Sequence, residues 1–186
     1  MHVSDAISNR RSIKRFTGRQ VTREEMESLL SAATLAPNHR LTNPWRFHVL
    51  GPEARAAYGL ALGNRKAKKI EDPEAAQTMR DNVANEHRAL PSMLVVGMVK
   101  NENAEISEED YAAVMMAIQN LSLAAVAMGL GTHIKTGAVM EDPAARAAAG
   151  VQDDERIVAI VNVGEPAEVP AAKKRDDASV HTTWLP

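Results

Sequence analysis

A cluster of cationic side chains lies close to the N-terminus of this chain. Four of the eight residues in the stretch NRRSIKRF are basic: Arg10, Arg11, Lys14 and Arg15. Arginine presents a planar fork of donors to a phosphate, lysine presents a point charge, and Ser12 adds a hydroxyl. The stretch therefore predicts a compact anion site. A second interpretation stays open, because cations are also favoured at the C-terminal end of a short helix, such as one over Val3–Asn9.

The overall charge limits which anion this cluster can bind. The formal net charge is −2 at pH 7, and aromatic residues make up only 3% of the 186 residues. A protein that binds a nucleic-acid backbone usually spreads an excess of lysine and arginine over one face, and single-stranded bases stack on aromatic side chains. We therefore expect no nucleic-acid partner, and one bound phosphate fits the cluster better than a polyanion.

The stretch APNHRLTNPWRF, residues 36–47, holds a polar loop between two prolines. Asn38 and His39 offer an amide and an imidazole, which suit hydrogen bonds to a heterocycle. The alternative is a plain connecting loop whose Trp45 fills a place in the core. No second histidine or carboxylate stands at a metal-binding spacing from His39, so we predict no metal site.

Several kinds of catalytic machinery are missing from the sequence. The chain contains no cysteine, which excludes thiolate catalysis, disulfides and cysteine-bound zinc. No glycine-rich dinucleotide fingerprint follows a predicted strand, no P-loop is present, and no set of serine, histidine and aspartate stands out. The sequence thus offers groups that bind an anionic heterocycle without obvious acid–base groups. This combination predicts a cofactor that supplies the chemistry itself.

Hydrophobic periodicity, caps and turn residues predict the elements that position these groups. The predicted helices cover residues 3–9, 22–35, 52–62, 73–89, 107–128 and 143–149. The predicted strands cover residues 45–50, 92–99, 133–136 and 156–163. Thr22 and Glu25 form a capping box, and Ser107 is the predicted cap of the long helix. We expect the segment 63–72 to be mobile, and the long apolar helix to lie in a core or a subunit interface.

The chain is predicted to form a core domain over residues 1–163, followed by an arm over residues 164–186. The arm contains three prolines and ends near the apolar Trp184 and Leu185. We expect it to pack on a partner subunit, and a disordered tail is the alternative. The N-terminus lacks the apolar region of a signal peptide, no run of 18 apolar residues is present, and cysteine is absent. We therefore expect a cytoplasmic protein without a membrane partner.

Two motifs together resemble the nitroreductase family of flavin enzymes, and in particular its small single-domain subgroup. The first is a short helix followed by Arg-Arg-Ser at residues 10–12 and then by Lys14. The second is a helix that ends in Ala-Pro at residues 36–37, then a polar loop, then Pro-Trp at residues 44–45 and a strand. The GLG at residues 129–131 and the segment VNVGEPAEVPAAKKR are similar to later landmarks, so the resemblance spans essentially the whole chain.

The resemblance implies an α+β fold, a nitroreductase-like three-layer sandwich whose mainly antiparallel central sheet is flanked by helices. It implies a homodimer with FMN at the interface, in which the long helix forms much of the contact and the C-terminal arm embraces the partner. The implied reaction is ping-pong: NAD(P)H gives a hydride to FMN, and electrons then pass to a nitroaromatic, quinone or related small-molecule acceptor. The alternative function is a flavin-binding sensor or reservoir without physiological turnover.

The resemblance also assigns residues of this chain to the FMN site. Phosphate and ribityl contacts match Arg10, Arg11, Ser12 and Lys14. The loop that meets the flavin of the other subunit matches Pro37, Asn38 and His39. The segment near the flavin ring matches Ile134, Lys135, Thr136 and Gly137. The basic residues of the arm that close on the phosphate match Lys173 and Arg175. No catalytic side chain is assigned, because the flavin carries the chemistry.

The chain departs from the family pattern at two positions of the polar loop. Leu41 stands where many members have asparagine, and Asn43 stands where many have glutamine. Both positions lie near the cofactor or substrate mouth in the family, so they bear on acceptor preference.

We also expect Lys135 to stabilise the reduced flavin, because it is the only lysine or arginine between Lys100 and Arg146.

Overall fold

The sheet at the centre of the protein has four strands, and their order explains which of them are buried. A computed structural model describes residues 1–186. The strands are β1 (Trp45–Leu50), β2 (Ser92–Val99), β3 (Gly131–Lys135) and β4 (Glu155–Gly164). They lie in the order β1-β2-β4-β3, and every neighbouring pair is antiparallel. The central strands β2 and β4 are the near-continuous apolar runs of the sequence, because both of their faces are covered.

Helices cover both faces of this sheet and complete three layers. They are α1 (Val3–Asn9), α2 (Arg23–Thr34), α3 (Pro52–Ala67), α4 (Pro73–Arg88), α5 (Ala104–Ala127) and α6 (Pro143–Ala148). One apolar core joins α2 and α5 to the sheet through residues such as Leu29 and Ile118. A second core joins α3 and α6 to the opposite face through residues such as Tyr58 and Ile157. The architecture confirms the predicted α+β sandwich with an antiparallel sheet.

The long helix α5 begins one turn earlier than the sequence pattern predicts. Its cap is Asn103, whose side-chain oxygen accepts hydrogen bonds from the backbone N–H groups of Glu105 and Ile106. The predicted cap Ser107 lies within the helix, because Asn103 is an equally good cap and nothing interrupts the helix between the two. By length and composition α5 is apolar enough to cross a membrane, a test that the core helix of a soluble protein also passes.

The helix α3 continues beyond its predicted end, so the prediction of a mobile segment from residue 63 onward is wrong for residues 63–67. The reason lies in two glycines that face α4. A Cβ added at Gly59 would lie 2.7 Å from the carbonyl oxygen of Val83, and one at Gly63 would lie 3.0 Å from the Cα of Arg80. Glycine weakens an isolated helix, but here it lets the two helices approach closely, and their packing stabilises both.

The N-terminal segment joins the edge of the sheet and meets the start of the arm there. The backbone N–H of Ile13 donates to the carbonyl of Thr132 on β3 at 2.9 Å. A few residues later, the N–H of Thr17 donates to the carbonyl of Glu165, also at 2.9 Å. These bonds hold the basic cluster of residues 10–15 against β3 and beside the beginning of the arm.

The rest of the C-terminal arm is exposed to solvent. Residues 167–186 are all exposed, and they end in Trp184, which is 89% exposed, and Leu185, which is 85% exposed. Large apolar side chains gain free energy when they leave water, and no part of the same chain covers these two.

Candidate functional site

One cavity lies where the basic cluster meets the C-terminal arm, and we name it the basic cavity. Its volume is about 580 Å³. Six basic side chains line it: Arg10, Arg11, Lys14, Arg15, Lys173 and Arg175. Ser12 and Glu168 line it as well. The structure therefore brings together, around one space, all six residues that the resemblance assigned to the phosphate and ribityl group.

The basic cavity carries a surplus of positive charge. Its carboxylate, Glu168, lies 3.5 Å from the guanidinium of Arg15, and both side chains are largely exposed. Five cations of the lining have no carboxylate within ion-pair distance: Arg10, Arg11, Lys14, Lys173 and Arg175. A phosphate that accepts charge-assisted hydrogen bonds from such groups neutralises this surplus.

Arg11 differs from the other cations of the basic cavity. Its Nη1 donates to the carbonyl of Ser8 at 2.7 Å and to the carbonyl of Arg10 at 2.9 Å. The last carbonyls of a helix lack partners within the helix, and a cation there also complements the helix dipole. Arg11 thus has the helix-end role that the sequence left open, and it lines the cavity with a guanidinium already bonded to the backbone.

A second cavity lies between the α3–α4 hairpin and the end of β3, and we name it the hairpin cavity. Its volume is about 610 Å³. Apolar side chains form much of its wall: Leu62, Met79, Val139 and Ile160. Its polar lining comes from α3 and the residues just beyond it, from α4, and from the end of β3 and the residue that follows: Tyr58, Arg65, Lys66, Lys69, His87, Lys135 and Thr136. Of these, the resemblance assigned only Lys135 and Thr136 to the FMN site.

Two side chains that line the hairpin cavity each keep a buried polar atom without a partner. Burial, with a smaller contribution from the Asp142 carboxylate, raises the pKa of Tyr58 to about 12, and its hydroxyl has no hydrogen-bond partner. The Nδ1 of His87 lies 2.8 Å from the carbonyl of Val83 and donates to it. Burial lowers the pKa of His87, which favours the neutral ring, and its Nε2 has no partner. Only the crossing of α3 and α4 brings these residues to β3, and no sequence motif marks them.

Lys135 occupies the end of β3 and is half-buried in the wall of the hairpin cavity. Burial lowers the pKa of Lys135, and the neighbouring Lys66 lowers it further. Neither lysine has a carboxylate within ion-pair distance. A half-buried ammonium group that faces a second cation is stabilised by any anion that binds beside it.

The strand β3 connects the two cavities along the edge of the sheet. Ser12 pairs with Thr132 at the end near the basic cavity, and Lys135 lies at the end near the hairpin cavity. Between them, burial lowers the pKa of His133, and the charges of Lys135 and Lys14 lower it further. The two cavities therefore lie toward opposite ends of one edge strand.

The residues at the end of β3 divide between the two faces of the sheet. Ile134 packs against the core beneath α5, whereas the next residue, Lys135, lines the hairpin cavity on the other face. Ile134, a candidate from the sequence, therefore lines neither cavity. Gly137 has a φ of 151°, which L side chains rarely adopt, and nothing lies within 4 Å of a Cβ added there. Its backbone and that of Thr136 are thus open to the hairpin cavity.

The polar loop after α2 is held together by its own side chains and by one buried carboxylate. The side-chain oxygen of Asn38 accepts a hydrogen bond from the backbone N–H of Asn43 at 2.9 Å. The hydroxyl of Thr42 donates to the carboxylate of Asp110 on α5, which is buried. These hydrogen bonds therefore give the loop a defined conformation.

Charged side chains attach the same loop to the first turns of α5. Glu109 accepts from Arg40 Nε at 2.8 Å and lies 2.9 Å from His39 Nδ1. The hydrogen bond with His39, and next the one from Arg40, lower the pKa of the Glu109 carboxylate. The resemblance assigned three loop residues to the flavin: Pro37, Asn38 and His39. None of them lines either cavity of its own chain.

Two residues of the loop adopt a left-handed backbone. Leu41 has a φ of 52° and Asn43 a φ of 48°. Asparagine tolerates this region because its short side chain bonds locally, whereas leucine is strained there. The side chain of Leu41 is also 78% exposed. Both departures from the family pattern thus lie at special backbone positions.

Most of this chain matches a known protein family. Residues 7–165 match the model of the Nitroreductase family, a span that contains the whole sheet and residues from both cavities. The chain belongs to the nitroreductase family. Membership confirms the family predicted from residues 10–12 and 36–45, and with it the predicted enzyme class, an oxidoreductase.

Individual relatives agree with the family assignment. The Bacillus subtilis (strain 168) protein YfhC, provisionally named an NAD(P)H nitroreductase, is 36% identical over 171 residues, which cover 92% of this chain and 88% of YfhC. A nitroreductase-like family protein from Bacillus cereus has a TM-score of 0.86 at 27% identity, covering 100% of this chain and 96% of that one. A nitroreductase with bound FMN from Bacteroides fragilis NCTC 9343 has a TM-score of 0.75 at 19% identity, with 100% of both chains covered.

Proposed function

We propose that this protein is an FMN-dependent oxidoreductase that takes a hydride from NAD(P)H and passes electrons to a nitroaromatic, quinone or related acceptor by a ping-pong mechanism. The observation that carries the proposal is the basic cavity, where unpaired cations from both ends of the chain surround one space beside β3. Membership of the nitroreductase family supports it, as does the FMN bound to the Bacteroides fragilis relative.

The donor set of the basic cavity fits the phosphate of FMN. A phosphate monoester carries close to two negative charges at neutral pH, and four cations bonded to neither a carboxylate nor a backbone carbonyl, with one hydroxyl, are available to it. These residues would hold it: Arg10, Ser12, Lys14, Lys173 and Arg175. Arg11 has its guanidinium on two backbone carbonyls, so it holds the end of α1 and thereby positions Arg10 and Ser12.

The end of β3 fits the flavin ring. The backbone at Thr136 and Gly137 is open to the hairpin cavity, and no Cβ at residue 137 blocks the approach of a flat ring. Lys135 would set a positive charge beside the ring, which stabilises the negative charge that reduction adds. Ile134 would contribute backbone alone, since its side chain packs into the core beneath α5.

Bound FMN would supply the redox chemistry by accepting a hydride and passing on electrons. The work left to the protein is to hold the cofactor at its phosphate, to shape a partly apolar space beside the ring, and to place each substrate there in turn. The hairpin cavity, with Leu62 and Ile160 in its wall, has the apolar lining for such a space.

We further propose that the protein is a homodimer with FMN at the interface. Apolar side chains of α5 and of the arm are exposed in a single chain, among them Met116 and Trp184. The loop of Pro37, Asn38 and His39 lies apart from both cavities of its own chain, so the loop of a partner would complete the site. Sedimentation equilibrium is expected to give twice the chain mass of 20.2 kDa. A monomer at micromolar concentration would rule the dimer out.

The competing function is a flavin-binding sensor or reservoir without turnover. Both functions need the FMN site, so kinetics separates them. Initial rates with NADPH or NADH and a quinone such as menadione are expected to give parallel double-reciprocal lines, the pattern of a ping-pong reaction. Tight FMN binding with no turnover of either pyridine nucleotide would favour the sensor.

A further inference from the structure

The hairpin cavity carries more positive charge than a flavin ring calls for. Besides Lys135, three cations from α3 and the residues just beyond it line this space: Arg65, Lys66 and Lys69. Arg65 lies 3.8 Å from the carboxylate of Asp142. Lys66 and Lys69 are exposed at the cavity and have no carboxylate within ion-pair distance, so two ammonium groups there are free to pair with an anion.

These charges are close enough to act on one another. Burial first, and Lys66 second, lower the pKa of Lys135, against the opposite effect of the Glu86 carboxylate. Burial also lowers the pKa of His87, and the charges of Lys135 and Lys66 lower it further, against the opposite effects of its bond to Val83 and of Glu86. Several positive charges around a partly enclosed apolar space produce a potential that draws in an anion.

The remaining lining indicates what kind of anion fits. The walls are apolar, with Leu62 and Met79 on the hairpin and Val139 and Ile160 on the other side. The hydroxyl of Tyr58, a residue only 2% exposed, lacks a partner beneath them. A concave apolar space with a few polar groups suits a small flat molecule that carries one polar group of opposite charge.

We propose that the hairpin cavity selects aromatic electron acceptors that bear a carboxylate, and that Lys66 and Lys69 recognise the acid. The inference rests on the proposed function, because the acceptor must reach the flavin ring beside Thr136 and Gly137. The carboxylate contributes to binding alone and takes no part in the reaction, since the electrons go to the nitro or quinone group of the same molecule. Lys66 and Lys69 are therefore specificity residues.

The 2′-phosphate of NADPH is another anion that two lysines can bind. The carboxylate fits better, because the lysines share their cavity with apolar side chains that suit an aromatic ring, whereas a 2′-phosphate sits on a polar ribose. The two sources make different predictions. Recognition of an acceptor changes affinity for small acids and leaves the ratio of NADPH to NADH activity unchanged.

The test is equilibrium binding to the oxidised, FMN-loaded protein, measured by titration calorimetry at fixed ionic strength. The probes are phenylacetate and phenylacetamide, which share a ring and a similar shape, differ in charge, and cannot be reduced. We expect phenylacetate to bind about tenfold more tightly, as for a hydrogen bond to a charged group. The double variant Lys66→Gln/Lys69→Gln is expected to lose most of that preference. The control Lys68→Gln/Lys100→Gln removes the same charge from two lysines that are likewise exposed but do not line the cavity, and it is expected to keep the preference. Lys100 donates to the carbonyl of Asp153, so the fold of this variant is checked by its urea midpoint.

Three results would overturn the proposal. Equal affinity of the acid and the amide removes the anion preference. An equal loss in the control variant means that only net charge matters. A changed NADPH-to-NADH ratio in the Lys66/Lys69 variant, with the acid preference intact, assigns the lysines to the pyridine nucleotide. Failure of the proposed function would appear separately, as FMN that NAD(P)H does not reduce, because the calorimetry needs no turnover.

Discussion

Leu41 is a position where replacing an apolar residue by a polar one is expected to stabilise the fold. Its φ of 52° strains a leucine by about 1 kcal/mol, and asparagine adopts this region with little strain. In the single chain the side chain is 78% exposed, so the substitution there forfeits about a fifth of the ~2 kcal/mol that full burial of leucine gives, or ~0.4 kcal/mol. Leu41→Asn is therefore expected to raise the free energy of unfolding by about 0.5 kcal/mol.

The chain offers a matched control for this substitution. Leu35 is 81% exposed, but its φ is −83°, so Leu35→Asn loses similar burial without any relief of strain. Urea denaturation of the FMN-loaded variants at one protein concentration compares them, because association and cofactor binding both shift apparent stability. The difference between the two variants is expected to be about 1 kcal/mol, the strain itself. If the two substitutions change stability equally, the strain assigned to Leu41 is absent.

Further predictions concern helix packing, the phosphate site and the flavin ring. Gly59→Ala sets a Cβ 2.7 Å from a backbone oxygen of α4 and is expected to lower the free energy of unfolding by about 1–3 kcal/mol. The control Gly18→Ala has nothing within 4 Å of its Cβ and is expected to change stability little, so similar urea midpoints for the two variants would refute the close helix contact. Arg11→Ala is expected to lower the free energy of unfolding by about 1 kcal/mol and to weaken FMN binding less than Arg10→Ala does. Fluorescence titrations in which Arg11→Ala weakens FMN binding more would show that Arg11, and not Arg10, contacts the phosphate. Lys135→Gln is expected to lower the midpoint potential of bound FMN, and an unchanged potential would remove its assigned effect on the ring.

Much of the fold follows from local signals in the sequence. The capping box of Thr22 and Glu25 forms as expected, with Glu25 N–H bonded to the hydroxyl of Thr22. The apolar runs of β2 and β4 fall at the centre of the sheet, where both faces are covered. Both errors along the helices arise from tertiary or competing contacts: α3 continues because Gly59 and Gly63 pack against α4, and α5 starts at Asn103 because an earlier cap was available.

Some residues of the candidate site could also be predicted from the sequence, and others could not. The motif at residues 10–14 and the basic pair of the arm meet in one cavity, which their resemblance to the family implied. Nothing in the sequence marks Tyr58, His87 or Lys66, because their role depends on two helices crossing above the end of β3. The hydrogen bonds of Arg11 to the carbonyls of Ser8 and Arg10 are local, yet the sequence does not show them either, since a pattern of residue types does not say where a guanidinium points.

The most direct test of the central claim is the visible spectrum of the purified protein, reconstituted with FMN and titrated with NAD(P)H without oxygen. The account predicts flavin absorbance that is shifted from that of free FMN and that NAD(P)H bleaches. Cations from both ends of the chain would then hold the cofactor in the basic cavity. FMN that binds and is never bleached would contradict the proposed reductase, and a protein that retains no FMN would contradict the assignment of the basic cavity.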